Sequence, residues 1–328
     1  VENENVKEKK RWDMISRNQL VSRILQIIIV LFGVSFITFL LTYLAPGDPV
    51  TAMYEAVGIV PTDEMVATAK SQMGLDQPFF VQYFIWLSNC LRGDLGTSFS
   101  QHLTVIDLLK KNLGATLKLA FLSLFLTILT AVPLGILSAV RQDKLSDYFI
   151  RGLSFIGISL PGFWIGLMLL YVFAYKLNLV PVISSGGGLE KMILPAVTLA
   201  IAMSSKYTRQ VRTAFLEELS HDYVIGARTR GVSEARILWR HILPNAMLPL
   251  ITLLGLSLGS LLGGTVVVEM IFSYPGLGKL AVEAVSARDY PLIQGIVLWI
   301  ALIYMLINLA VDISYRYIDP RIRNKGAV

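Results

Sequence analysis

Charge is what this sequence has least of: Asp, Glu, Lys and Arg make up 16% of its 328 residues, while 54% are hydrophobic and mean hydropathy is +0.62. Soluble domains average about 25% charged residues overall, so a soluble globular domain is excluded and the chain reads as a polytopic membrane protein. Cysteine is almost missing as well. The single Cys90 cannot form a disulfide within the chain, and with no cluster of His, Cys and carboxylates at ligand spacing, no metal site is expected. The three histidines, His102, His221 and His241, are scattered with no nucleophile beside them, which argues against a membrane enzyme and leaves no catalytic residue to assign. A phosphate-binding loop is also lacking. The one Walker-like fragment, Gly278-Lys279, has Ser273 where the earlier Gly belongs and Leu280 where Ser or Thr belongs.

Long apolar runs are what the chain does have. Runs of spanning length, about 20 residues, fall at 22–45, 113–140, 152–175, 192–212, 242–269 and 291–313. They predict an all-α integral membrane protein with about six transmembrane helices. The fourth is diluted by Ser204, Ser205 and Lys206 in its inner half and carries Pro195 near its outer end. Short basic loops stay cytoplasmic, and twenty Lys and Arg residues lie in the N-terminal segment, the 141–151 and 206–240 loops and the tail, against seven in the alternate loops. Both termini are therefore expected in the cytoplasm, in a multi-pass protein of the cell membrane. Topology and anionic lipid account for the net charge of +6, with no role for nucleic acid. The first run is longer than a signal-peptide core of about 7–15 residues, and no small-x-small site follows Leu44-Ala45-Pro46, so it reads as a retained helix. The expected order is a cytoplasmic tail over 1–23, a first helix over 24–45, a structured outer segment over 46–112, a transmembrane domain over 113–313, and a tail over 314–328.

The outer segment carries its own signals. Thr62 with Asp63 and Glu64 marks a helix start and Gly74 its stop, and Asp76 and Pro78 open a second helix that Gly93 ends. That second helix holds Phe79, Phe80, Tyr83, Phe84 and Trp86, which reads as an interfacial aromatic belt. A short third helix around Val105 to Asn112 is expected to lead into the second span.

On the opposite side, the 213–241 loop is polar and dense in arginine. Asp222 suits an N-cap, and Tyr223, Ala227 and Gly231 fall on one helical stripe that is bare enough to press into a groove. Gly231 can take the left-handed conformation that ends a helix, Ser233 can cap the next, and Pro244 marks entry into the fifth span. A solvated hairpin with its arginines on lipid phosphate is the alternative.

This stretch resembles the "EAA" loop of ABC-type importer permeases, whose pattern is Glu-Ala-Ala, three residues, Gly, nine residues, then Ile-x-Leu-Pro. Aligned on Gly231, the second Ala is Ala227, the Leu-Pro is Leu243-Pro244, and nine residues separate Gly231 from His241. Ile225, Gly226 and His241 depart from the pattern in the way seen in dipeptide, oligopeptide and nickel permeases. The same branch is matched by Leu44-Ala45-Pro46-Gly47-Asp48-Pro49, Gly74-Leu75-Asp76-Gln77-Pro78, Gly93-Asp94-Leu95-Gly96-Thr97-Ser98, Pro275-Gly276-Leu277-Gly278, Arg288-Asp289-Tyr290-Pro291 and Asp319-Pro320-Arg321. The outer segment and Asp-Pro-Arg tail resemble the first, or B-type, permease of such systems.

The resemblance implies a second, C-type permease, one or two ATPase subunits that hold ATP and Mg, and an extracytoplasmic peptide-binding protein. No cofactor is implied in this chain. Tyr223, Ala227, Arg228, Gly231, His241, Pro244 and Asn245 would be the residues that couple to the ATPase. The cargo implied is a dipeptide or oligopeptide, with a nickel chelate or glutathione as the alternative within the family.

Within the spans, Gly255, Gly259 and Gly263 form successive small-xxx-small steps that serve either helix packing or the wall of a pathway. Asn308 and Asp312 stand one turn apart, as a bundle contact or part of that pathway. Glu269, with Arg288 and Asp289, is a candidate outer gate or docking contact. An ion-coupled secondary transporter, the rival from another class, would need intramembrane carboxylate or His relays. Only Glu269 and Asp312, near the ends of their spans, are offered.

The charge split generates a topology test. In a Cys90-free background, single cysteines placed in 46–112 or 271–290 should react with impermeant reagent from outside, and those in 141–151 or 222–240 only after permeabilisation. External labelling of Ser233→Cys in sealed cells would reverse the orientation.

Overall fold

The computed structural model describes residues 2–181, 188 and 190–318, and its regular elements are helices; one bridge joins Thr97 and Thr104. In chain order they are α1 (Glu2–Leu44), α2 (Pro49–Ala56), α3 (Asp63–Gln72), α4 (Phe79–Leu91), α5 (Val105–Val140), α6 (Leu145–Ser159), α7 (Gly162–Leu169, continued as a π-helix through Lys176) and α8 (Glu190–Leu219). The rest are α9 (Asp222–Thr229), α10 (Glu234–Arg236, followed by a π-helix over Ile237–Ile242), α11 (Leu243–Gly264), α12 (Val266–Ile271), α13 (Leu277–Ser286) and α14 (Tyr290–Ile318). The Asp319-Pro320-Arg321 motif lies outside the described residues.

Among the described residues three helices are long and apolar enough to cross a bilayer: Val21–Leu44 within α1, α5, and Tyr290–Asp312 within α14. A fourth candidate is the pair formed by Leu145–Ser159 and Gly162–Lys176, bent by 101°. The 152–175 run, expected as one helix, is therefore two. Leu160 precedes Pro161 and is extended, with ψ 134°, because the proline ring disfavours helical backbone in its predecessor. One other expectation changes: Val105–Asn112 is the first part of the 36-residue α5 rather than a helix of its own. Residues 2–23 are helical and continuous with the first span in α1. At 1.5 Å per residue α5 is about 54 Å long, well beyond a hydrocarbon core of about 30 Å.

The chain divides into two compact units, residues 1–110 with 283–309 and residues 111–282 with 310–328. In the first, α4 packs its aromatic face on α1: Tyr83 is buried, meets Phe36 and Phe39 edge-on at 5.4 and 5.5 Å, and shares a 2.9 Å hydrogen bond with Ser35. Such pairs each add about 0.5–1.5 kcal/mol beyond the area they bury. The opposite face of α4 leaves Phe80, Phe84 and Ile85 exposed, which suits a helix lying in a bilayer interface. The helices α3 and α4 begin and end as the sequence predicts: Thr62 accepts from Met65 N at the start of α3, and Gly74 and Gly93 follow α3 and α4 with φ of +66° and +85°. Burial pushes the Cys90 thiol up to about 12, with Asp94 adding to the shift. The group stays protonated and unreactive at neutral pH.

In the second unit the helices approach closely where side chains are smallest. A Cβ on Gly157 of α6 would lie 2.0 Å from Ser205 Oγ of α8, and one on Gly135 of α5 would lie 2.5 Å from Val211 Cβ. One buried carboxylate ties three elements together there. Asp147, fully buried in the first turn of α6, accepts Arg212 Nε and Nη2 of α8, each at 2.8 Å, Asp143 N at 3.0 Å and the hydroxyl of Ser138 on α5. Sequence patterns did not mark this residue.

Breaking a buried ion pair from one side costs about 3–5 kcal/mol, because the partner charge is left uncompensated. Asp147→Ala should therefore lower the apparent melting temperature of the purified chain, and Asp147→Ala with Arg212→Ala should cost less than the two single changes added together. Strict additivity in thermal unfolding would contradict the clamp.

Candidate functional site

The arginine-dense loop folds as a compact hairpin of α9, α10 and the π-helix. Its first turn differs from expectation: His221 is the N-cap, and Asp222 is the first helical residue. The turn between the helices is a Schellman motif. Gly231 N donates to Arg228 O at 2.9 Å, Val232 N donates to Ala227 O at 3.2 Å, and Gly231 has φ +74°. Ser233 precedes α10 with extended backbone, and its carbonyl accepts from Ile237 N at 3.0 Å. The π-helix runs directly into Pro244 in the first turn of α11. Proline has no N–H to complete the preceding helical ladder, so the wider winding meets no competition there.

The buried face of the hairpin is one with the core of its unit. Val224, Ala227, Ile237 and Ile242 cluster with Ala139 of α5, Val211 and Phe215 of α8, and Ala246 and Leu250 of α11. Burying each larger aliphatic side chain contributes about 1.5–3 kcal/mol. Polar contacts close the rim: Tyr223 donates its hydroxyl hydrogen to Glu218, and Asn245 donates to His241 O at 3.0 Å and to the Tyr223 oxygen at 3.5 Å. Arg228 crosses the hairpin to Glu234 with two hydrogen bonds, 2.7 and 3.2 Å. The guanidinium holds the Glu234 carboxyl below the usual carboxylate range; both groups are solvated, so the pair orients the hairpin more than it stabilises it.

This arrangement corrects the expected stripe. Ala227 is 2% exposed within the chain's own core, so it cannot press into a partner's groove. The outward surface is instead formed by Ile225, 53% exposed, and Trp239, 64% exposed, among Arg228, Thr229, Arg236 and Arg240. Trp239 was missed in the sequence. A tryptophan among arginines, placed between two helix signals, was the available clue.

The other candidate residues separate into distinct settings. Glu269, expected at an outer gate or docking surface, is fully buried and accepts Thr116 Oγ1 at 2.8 Å, Thr265 Oγ1 at 3.0 Å and Lys279 N at 3.0 Å. A Cβ on Gly276 would lie 2.2 Å from its carboxyl carbon, which is why the Pro275-Gly276-Leu277-Gly278 loop can wrap it. Asp289 is also fully buried, accepting Ser98 Oγ at 2.6 Å, Ser100 N at 3.0 Å and Ser100 Oγ at 2.8 Å. Neither carboxylate is on a docking face. Arg288 is exposed, with φ +54°. Gly255 packs on α14, where a Cβ would meet Val311 at 2.3 Å; Gly259 is buried and Gly263 exposed with nothing within 4 Å of a Cβ. The buried carbonyl oxygen of the Asn308 side chain has no hydrogen-bond partner among the described residues.

Residues 131–324 match the family described as "Binding-protein-dependent transport system inner membrane component", and residues 16–120 match its N-terminal family, "Binding-prot-dependent transport system membrane comp, N-term". The chain is 38% identical over 328 residues, covering 92% of it and 96% of the relative, to the probable D,D-dipeptide transport system permease protein DdpB of Escherichia coli strain K12. It is 38% identical over 308 residues, covering 94% and 99%, to the glutathione transport system permease protein GsiC of Salmonella paratyphi A. A structure described as inward facing conformations of the MetNI methionine ABC transporter superposes with a TM-score of 0.54 over 65% of this chain and 97% of that one. At 17% identity this likeness is one of fold alone.

The left-handed Gly231 generates a test of the turn. An L-residue there costs about 1–2 kcal/mol, so Gly231→Val should destabilise the hairpin by that amount and speed amide exchange in α9 and α10. Gly231→Asn should be milder, and equal exchange in both variants would contradict the strain.

Proposed function

Because this chain belongs to the family of inner membrane components of binding-protein-dependent transport systems and is a permease subunit of an ABC importer, we propose that its cargo is a short peptide. The single observation that carries this cargo is identity of 38% along nearly the whole chain to both a D,D-dipeptide permease and a glutathione permease. Both cargoes are a few residues long and expose a peptide backbone. A pathway between helices can admit such molecules while an extracytoplasmic binding protein selects among them.

In this reading the chain spans the cell membrane about six times with both termini inside, and pairs with a C-type permease. ATP hydrolysis belongs to partner ATPases seated on the hairpin. Trp239 and Ile225 supply the apolar contact, and the surrounding arginines steer the approach. The buried face of the hairpin supports this, since Val224 and Ile237 are packed against Phe215 of α8. A push on the outward face therefore displaces the core as a body rather than deforming a loop. Asp147 carries that displacement to α6 through Arg212.

Truncating a central interface tryptophan typically costs 2 kcal/mol or more, about 30-fold in affinity. Trp239→Ala with Ile225→Ala should weaken ATPase attachment by about that factor and lower peptide uptake and peptide-stimulated ATP hydrolysis, while the permease still accumulates. Ala227→Arg should instead prevent accumulation. Unchanged attachment in the double variant would remove the hairpin from the coupling interface. Uptake of nickel without uptake of peptide would leave the permease assignment in place and refute the cargo.

A further inference from the structure

A cavity of about 510 Å³ opens between α6 and α8, away from the hairpin. On α6 it is walled by Tyr148, Arg151, Gly152 and Phe155, at helical spacing along one face, and on α8 by Arg209 and Arg212. Three guanidinium groups therefore converge on one concavity. Arg212 is fixed by the fully buried Asp147, which lies behind it. Arg151 reaches the same carboxylate only at 3.9 Å and lies over the Tyr148 ring at 5.6 Å. Among the described residues Arg209 has no ion-pair partner. The other acid acting on Arg212 is Asp143. Three cations against two acids leave an uncompensated positive charge at the cavity.

The surroundings are apolar. Phe149 and Phe155 are each 67% exposed on α6, and Leu153 is 52% exposed. A cationic cup beside exposed hydrocarbon matches a ligand that carries both a phosphate and acyl chains. A free oxyanion would use the guanidinium groups and gain nothing from the phenylalanines. The cup also has room: a Cβ built on Gly152 meets nothing within 4 Å.

We propose that this cavity binds the phosphodiester headgroup of an anionic phospholipid, with Arg151 and Arg209 on the phosphate, Arg212 as a fixed positive wall and the acyl chains along α6. The leaflet in which that lipid sits rests on the topology proposed above; the preference for it does not.

Native mass spectrometry of the full chain, released from membranes with the subunits that accompany it, can count retained phosphatidylglycerol against phosphatidylcholine. The unaltered chain should retain phosphatidylglycerol in preference. Arg151→Gln with Arg209→Gln should reduce that preference by about fivefold per arginine, about 25-fold together. Gly152→Phe should abolish it by filling the cup with every arginine in place, and millimolar inorganic phosphate should not displace the lipid. Equal retention of the two lipids by the unaltered chain, or undiminished preference in both variants, would overturn the proposal. Displacement by inorganic phosphate would overturn it too, leaving a simple oxyanion site. A wrong topology would appear separately, as cysteine labelling from the unexpected side with the lipid preference intact.

Discussion

The burial of one apolar face of a polar hairpin is the constraint from which the working geometry of this permease follows. Val224, Ala227, Ile237 and Ile242 close over Phe215 and Val211, and at about 1.5–3 kcal/mol for each larger side chain the hairpin cannot lift away without opening the core. Its other face is thereby committed to solvent or to a partner. That face carries Trp239, 64% exposed, and Ile225, 53% exposed. The same attachment explains why the turn must be tight: with Ala227 and Ile237 both held, the intervening chain reverses through a left-handed glycine.

Buried carboxylates do a second kind of work. Asp147, Glu269 and Asp289 are each 0% exposed, and each gathers donors from segments distant in sequence. In every case the donors include backbone N–H groups or hydroxyls, so loop backbone that would otherwise be left unpaired is satisfied by a single acid. Asp147 also has a full cationic partner in Arg212. In the loop 273–279 the Glu269 carboxyl leaves no space for side chains at Gly276 and Gly278, whereas Gly96 in the loop 96–104 answers to its positive φ of +80°.

Local signals were legible where chemistry is local. Thr62, Gly74, Gly93 and Gly231 mark helix ends by their own backbone requirements, and the apolar runs mark helices by length alone. What periodicity could not reveal was which face of the hairpin turns inward. Tyr223, Ala227 and Gly231 form a stripe whether it meets a partner or the chain's own α8, and only the distant Phe215 decides. The same holds for Glu269 and Asp289, which near span ends look available to solvent until Thr116, Ser98 and Ser100 are brought to them. Asp147 gave no sign because Arg212, its partner, is 65 positions away. The bend at Leu160-Pro161 could have been read from the proline, but a proline inside an apolar run can also sit within a continuous helix, as Pro133 and Pro195 do inside α5 and α8.

That 101° bend has a solvation cost. Pro161 has no N–H for the carbonyl of Gly157, and hydrocarbon offers none in exchange. Where the bend lies at bilayer depth, lipid alone is therefore a poor solvent for this chain. Protein or water must then stand against the freed carbonyl, beside Phe163 and Trp164, which are exposed just beyond the break.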